Sequence, residues 1–381
     1  MERNRPTVAD AGEDAVLEAL MQVIVPHNAA VARQHGQSLV LGPGNDDAAV
    51  LAFAAGGYHA PVVMTTDTMS EDQDFRRRWW LGPESLGAAE HEPAQEWPLD
   101  VGTKAAAQNL SDINAMGATP AALLVSLTLP GDLPLDWVEG FFRGVVRACR
   151  AEGAERCVIA GGDLGSGDTI SVTITALGQV QERQAQSAQV LRRSGARPGD
   201  VLAVAGPLGR AAAGFALLEQ TSAEEHAAMP LNPAQEKLWS RHAELIRDCL
   251  TAQRRPQPPL TAGPAALAAG ATAGMDVSDG LLRDAARLAS ASGVVLTLDD
   301  EVLGAEAALL EPVAAFLGHT PQAARDWVYA GGEEYALLAA FPSGTALPEG
   351  FRRIGEVREA RDGAPRVITG HAVSKSGWSS L

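Results

Sequence analysis

Carboxylates placed beside short apolar runs constrain this chain more than any other feature. They occur as Asn45-Asp46-Asp47, Thr65-Thr66-Asp67, Asn109-Leu110-Ser111-Asp112, Gly161-Gly162-Asp163 and Asp276-Val277-Ser278-Asp279-Gly280. Most sit where a strand would hand a side chain to a loop. If all five stretches converge, seven carboxylates share one crevice. Two unit charges about 5 Å apart repel by roughly 3 kcal/mol at an effective dielectric near 20. Several such pairs would open a domain of ordinary stability, so converging acids of this kind imply bound cations.

At 381 residues the chain is long for one domain and comfortable for two. With 46% hydrophobic and 20% charged residues it is globular in composition. A net charge of −17 argues against binding a nucleic-acid backbone as the main task. An acidic protein accepts an anionic substrate only where metal ions and a few arginines reverse the potential locally. Cys149, Cys157 and Cys249 lack metal-ligand spacing, which fits buried free thiols in a reducing compartment. The first 20 residues lack the apolar core of a signal peptide. No run reaches the roughly 18 apolar residues of a membrane span. The expected location is the cytoplasm, with no membrane and no nucleic-acid partner.

Helical spacing is present over 12–25, 101–117, 135–151, 210–219, 233–254 and 280–292. Strand-like runs occur at 47–52, 61–66, 121–129, 158–160, 170–180, 201–205, 275–277, 294–298, 335–341 and 353–357. A boundary falls near 181–192, giving an N-terminal domain over 1–185 and a C-terminal domain over 186–381. The segment 76–99 is rich in Pro and Glu, with Trp79, Trp80 and Trp97, and fits neither pattern. It reads as an exposed, partly mobile loop or as a lid over a site.

Thr65-Thr66-Asp67 after Val62-Val63-Met64 places two hydroxyls and a carboxylate at an expected strand end. That oxygen mixture suits Mg²⁺ better than zinc. Asp112 belongs to a helix whose apolar face is Ala106, Leu110, Ile113 and Met116. In the Asp276–Gly280 stretch, Asp276 and Ser278 can face one side while Asp279 caps the helix that follows. Gly161-Gly162-Asp163 reads as a glycine turn that admits a phosphate. Gly206-Pro207-Leu208-Gly209 before a helix either cradles phosphate or simply turns the chain. Arg193 is suited to bidentate phosphate contact or to the surface. No Gly-x4-Gly-Lys-[Ser/Thr] loop, Gly-x-Ser-x-Gly elbow or metal-spaced histidine pair occurs.

Taken in order, Asn45–Val50, Thr65–Thr68, Val101–Pro120, Gly161–Asp163, Leu191–Asp200, Asp276–Asp284, Gly331–Tyr335 and Ile354-Gly355 resemble the thiamine-monophosphate kinase family of the aminoimidazole-ribotide synthetase superfamily. The resemblance implies an α/β and α+β two-domain fold. Its N-terminal sheet domain would dimerise, and a C-terminal α+β domain would pack beside it. ATP would lie between the domains with several Mg²⁺ ions and transfer its γ-phosphoryl group in line to thiamine monophosphate. By position, Asp47, Thr65, Thr66, Asp67, Asp112, Asp163, Asp276 and Asp279 are the implied metal ligands. Gly162, Asp163, Arg193 and Ser278 are implied ATP contacts, and Asp74, Glu333 and Trp378 fall at the thiamine site. No covalent nucleophile or general base is implied, because the acceptor phosphate is already an anion at neutral pH.

Three features depart from that family. Asp74 stands where a substrate-contacting histidine is usual, Asn45 replaces a glycine, and the segment 76–99 is longer than usual. They leave open another small phosphate monoester as acceptor, or a non-catalytic dimer that binds ATP and metal. Selenophosphate synthetases need a reactive cysteine near the N-terminus and the hydrogenase-maturation members end in one. Here the first cysteine is Cys149 and the chain ends in Leu381.

Overall fold

The computed structural model describes residues 38–41, 49–52, 62–80, 97–180, 190–221, 231–360 and 366–370. The helix read over 12–25, the acids Asp46 and Asp47, most of the segment 76–99, and Trp378 lie outside the described residues.

In chain order the elements are β1 (Ser38–Leu41), β2 (Ala49–Ala52), β3 (Val62–Ser70), a 3₁₀ turn Arg77–Trp80, α1 (Trp97–Ala115), β4 (Thr119–Leu129), α2 (Leu135–Cys149), β5 (Val158–Ser166) and β6 (Ser171–Gln179). There follow β7 (Val201–Ala205), α3 (Arg210–Thr221), α4 (Pro233–Arg254), α5 (Ala262–Ala268), β8 (Ala273–Val277), α6 (Leu281–Ser292) and β9 (Val294–Leu298). The chain continues with α7 (Asp300–Phe316), α8 (Pro321–Ala330), β10 (Ala336–Phe341), β11 (Phe351–Glu359) and β12 (Val367–Ile368).

The strands form two six-stranded sheets, ordered β1-β2-β3-β6-β4-β5 and β12-β9-β11-β7-β10-β8. In the first sheet, β6 alternates buried and half-buried positions, with Val172, Ile174 and Ala176 on the buried face. Their cross-strand partners Met69, Asp67 and Thr65 of β3 share that face. It packs on α1, whose Ala106, Leu110 and Ile113 are fully buried, as is Met116 just beyond its end. Helix α2 lies against α1 at very short range. A β-carbon on Gly102 would stand 2.0 Å from the Phe141 carbonyl oxygen, and one on Gly144 would stand 2.1 Å from that of Leu99. Only glycine permits that approach.

The second sheet is deeply buried: β8 and β10 are buried along their whole length. Long α4 begins at Asn232, whose side chain accepts from the amides of Ala234 and Gln235 while Gln235 bonds back in a reciprocal cap. Helix α1 is the joint between the halves, since it also touches β8, α5 and α4.

Two sequence expectations change here. Thr65-Thr66-Asp67 is not at a strand end, because β3 continues to Ser70 in register with Ser171. Gly161-Gly162-Asp163 is not a turn either: β5 runs through it to Ser166, paired in parallel with β4. The apolar run stops at Ala160, but the backbone pairing does not depend on apolar side chains.

The segment 76–80 is also ordered rather than loose. Trp79 is 1% exposed and Trp80 3%. Trp79, Trp80, Trp97 and Trp137 form a ladder with ring centroids 6.2, 6.0 and 5.4 Å apart in succession. The Trp79 indole donates to Glu219 of α3 (2.8 Å), and the Trp80 indole donates to Asp100 of α1 (2.7 Å). Arg76 and Arg78 pair with the same Glu219. The tryptophans therefore bolt the first half to the second.

Candidate active site

The side chains of Thr65 and Asp67 point toward α1, and Thr66 points the other way. Among the described residues, β3 has no strand partner on its β2 side beyond Met64. Helix α1 fills the gap: Asn109 Oδ1 accepts from the Asp67 amide (3.1 Å), and Asp112 Oδ2 accepts from the Thr65 hydroxyl (2.6 Å). On the far side of the same turn of α1, the Ser111 hydroxyl faces Asp276 Oδ2 at 3.4 Å. Asp276, at the end of β8, is 3% exposed. One helix thus contacts acid-bearing segments of both halves. Asn109 and Ser111 are the residues that make the junction, and they lie inside a stretch where only Asp112 was singled out.

The segment 331–335 closes this site. The Glu333 amide donates to the Ser278 carbonyl (2.9 Å), and a β-carbon on Gly332 would stand 2.0 Å from that same oxygen. The two backbones pack so closely that position 332 must be glycine. Glu333 (φ 66°) and Tyr335 (φ 55°) both adopt the left-handed conformation, rare for residues with side chains. Such outliers gather at functional sites. Burial, and then the negative charges of Glu333, Asp67, Asp276 and Asp74, hold the Tyr335 hydroxyl well above its ordinary pKa. A neutral phenol is thus set among four carboxylates.

Lys104 is the buried cation that answers them. Its side chain is 2% exposed, and its ammonium lies 2.8 Å from Glu333 Oε1 and 3.1 Å from the Asp74 carbonyl. It also sits 5.8 Å above the Trp79 ring. A lysine inside an alanine run was the one sequence sign of this role. Asp74 itself closes a turn by accepting the Ser70 amide (2.6 Å). Burial keeps its carboxyl above the usual carboxylate range, against the opposing pull of that amide and of Lys104.

Other expected site residues are placed differently. Thr66 bonds to the Ile174 carbonyl and to the Thr175 hydroxyl on the open face of the sheet. Asp163, opposite Ser126, shares that exposed face. It stands three strands from β3, about 14 Å at the usual strand spacing. Within one chain neither joins the group around Asp67, and Gly162 lies on the same edge strand. Asp279 does not cap α6. The cap position falls on Gly280, no side chain caps it, and Asp284 reaches back to accept the amides of residues 279 and 280. The Asp279 carboxylate instead meets Arg287 at 2.5 Å. Arg193 lies beside that pair: its carbonyl accepts from Ser292 of α6 (2.8 Å), and its charge is felt by Arg287. Ser278 is half-buried on the same loop.

The phosphate-cradle reading of Gly206–Gly209 does not survive. The amides of Gly209, Arg210 (2.6 Å) and Ala211 (3.1 Å) are all taken by the Glu334 carboxylate, which caps α3 from a distant segment. Glu334 is buried, and burial pushes its pKa up to about 7 against those three donors. Its folded value lies above the ordinary 4.5. Its contribution is therefore complete below the unfolded pKa and is lost as pH rises through about 7. Relative to Glu334→Gln, the wild type should lose on the order of 3 kcal/mol of unfolding free energy between about pH 4.5 and 7. Urea midpoints at stepped pH check this, and parallel pH profiles for the two proteins would contradict it.

The donor set around Thr65, Asp67, Asp112 and Asp276 consists of oxygen atoms, the chemistry of a hard cation. Among the described residues, no three His, Cys, Asp or Glu side chains form a group that would hold an ion unaided. Mg²⁺ is usually held by one or two carboxylates together with substrate phosphates and water. The residues fit an ion that arrives with a phosphate.

Family models describe both halves: the AIR synthase related protein N-terminal domain matches residues 45–180, and its C-terminal domain matches 197–364. The thiamine-monophosphate kinase of Mycobacterium tuberculosis is 36% identical over 382 residues, covering 99% of this chain and 93% of that one. That of Corynebacterium glutamicum is 33% identical, covering 94% and 90% respectively. Among solved structures, AaThiL complexed with AMPPCP and TMP aligns with a TM-score of 0.72 and 26% identity, with both chains covered completely.

Proposed function

The chain belongs to the thiamine-monophosphate kinase family of AIR synthase related proteins, and from that premise we propose that it transfers the γ-phosphoryl group of ATP to thiamine monophosphate, forming thiamine diphosphate. The observation that carries the reading is that α1 bonds to Thr65 and Asp67 of β3 through Asp112 and Asn109 and to Asp276 of β8 through Ser111, while the charges of Asp67, Asp276, Asp74 and Glu333 all bear on Tyr335 and Lys104 pairs with Glu333. A donor site and an acceptor site thus adjoin.

We assign the metal-binding role to Thr65, Asp67, Asp112 and Asp276, with Asp47 outside the described residues. Thr66, Asp163 and Asp279, which the family resemblance also implies as ligands, are left out of this assignment because Thr66 and Asp163 lie on the open face of the sheet and Asp279 pairs with Arg287. Bound Mg²⁺ would neutralise charge on the transferring phosphoryl group and align it with its acceptor. The chain's own contribution is positioning. Asn109 and Ser111 hold the acids in place, and Lys104 restrains Glu333. Tyr335 remains a neutral hydrogen-bond donor at neutral pH. Glu333 and Asp74 favour the cationic ring of the acceptor. Its phosphate is ionised at neutral pH, with a second pKa near 6, so no general base is required.

We further propose domains over 1–185 and 186–381, a cytoplasmic location and a homodimer. Buried thiols Cys149, Cys157 and Cys249 support a reducing compartment. No helix among the described residues is long and apolar enough to cross a membrane. The open face and edge of the first sheet support the dimer, since Leu124, Val158 and Leu164 are 43%, 57% and 70% exposed there.

The test is incubation with Mg-ATP and a panel of phosphate monoesters, with products identified by mass. Thiamine diphosphate should dominate. A different diphosphate as the main product would replace the acceptor, and ATP consumption without any diphosphate would refute the kinase reading.

A further inference from the structure

We infer that Gln253, at the C-terminal end of α4, is a positioning residue for the acceptor pocket, fixing the Glu333 carboxylate against the cationic ring of the substrate. The inference rests on the function proposed above and deepens it. Glu333 is held in a left-handed conformation and its side chain is 35% exposed, so backbone and solvent alone leave its carboxylate free to turn. Two donors from different elements remove that freedom. Lys104 of α1 takes Oε1 at 2.8 Å, and the Gln253 amide takes Oε2 at 2.6 Å.

The two donors are not equivalent. Lys104 offsets the charge of Glu333, whereas Gln253 orients it without adding charge. A second lysine at 253 would offset more of the negative charge that attracts a cationic ring. An ionised carboxylate only accepts, so the side that faces Glu333 must be the Gln253 nitrogen. This leaves Gln253 Oε1 buried, in a residue 1% exposed, with no hydrogen-bond partner among the described residues. A methionine would fill the same space without that unmet acceptor. Packing therefore gives no reason for glutamine here, and the bond to Glu333 does. The neighbouring Arg254 is fixed by its bond to the Trp79 carbonyl and its stacking over Trp80 at 5.4 Å. The end of α4 is thus a firm base from which to aim the amide.

The experiment compares steady-state kinetics of the full-length wild type, Gln253→Met, Glu333→Gln and the double variant with Mg-ATP and thiamine monophosphate. Gln253→Met should raise KM for thiamine monophosphate about tenfold, as expected for a lost hydrogen bond to a charged group. Both kcat and KM for ATP should stay within about twofold. In the Glu333→Gln background the same substitution should add nothing, because it acts through Glu333. Gln253→Asn, too short to reach Glu333, should repeat the pattern if the methionine variant folds poorly. An unchanged KM, a parallel loss in ATP affinity and kcat, or an equal effect in both backgrounds would overturn the inference while leaving the kinase reading standing. A wild type that makes no thiamine diphosphate would overturn both.

Discussion

Replacing Asp276 with asparagine is expected to lower kcat about 10²–10³-fold at saturating Mg²⁺, the scale of losing one preorganised electrostatic contact in a transition state. The substitution is isosteric, and Asp276 is the penultimate residue of a strand that is buried on every residue. Backbone pairing with β10 does not involve its side chain, so the fold should persist. Asp276 and Asp67 both press their charge on Tyr335. Removing one should therefore leave nucleotide-free stability equal or slightly higher, because repulsion is relieved. Kinetics and urea unfolding on the same preparation separate the possibilities. Turnover near wild type would remove Asp276 from the reaction, and a loss of several kcal/mol in stability would make it a structural residue instead.

Trp79→Ala should cost about 3–5 kcal/mol of unfolding free energy, the usual range for emptying a fully buried aromatic site. Trp79 packs edge-on against Phe215 of α3 at 5.8 Å, donates to Glu219, and lies beneath Lys104. The damage should therefore reach the acceptor pocket, with KM for thiamine monophosphate rising more than KM for ATP. Denaturant unfolding and paired KM values check both parts. A change below about 1 kcal/mol would mean that residues 76–80 are only a surface loop.

That residue also shows where the sequence was hard to read. Trp79 and Trp80 lie in a Pro- and Glu-rich stretch, and local pattern marks it as exposed. Trp79 owes its burial to partners more than a hundred residues away, Phe215 and Glu219 of α3. Regular elements with local signals read well. Pro233–Arg254 and Val294–Leu298 have the bounds that their apolar spacing and flanking prolines or glycines suggest. Helices Ala262–Ala268, Asp300–Phe316 and Pro321–Ala330 lie where the pattern assigns nothing. Alanine-rich faces dilute the apolar period there, although Asp299 does cap the second of them.

The acids Asp67, Asp112 and Asp276 were legible because Asp67 and Asp112 follow polar residues and Asp276 interrupts an apolar run just before Ser278-Asp279-Gly280. Their grouping depended on α1 touching both sheets, which spacing cannot reveal. Asp279 and Asp163 fit the same local pattern, yet Arg287 and strand order place them elsewhere. Lys104, Gln253 and Tyr335 carried little local signal, since each acts through a fold-level contact with Glu333 or with the acids around it.

If these oxygen ligands hold an ion only together with nucleotide phosphates, calorimetric titration with a non-hydrolysable ATP analogue should show strong binding in Mg²⁺, a loss of at least about a hundredfold in EDTA, and a comparable loss for Asp67→Asn with Mg²⁺ present. Equal affinity in Mg²⁺ and EDTA for the wild type would contradict this reading.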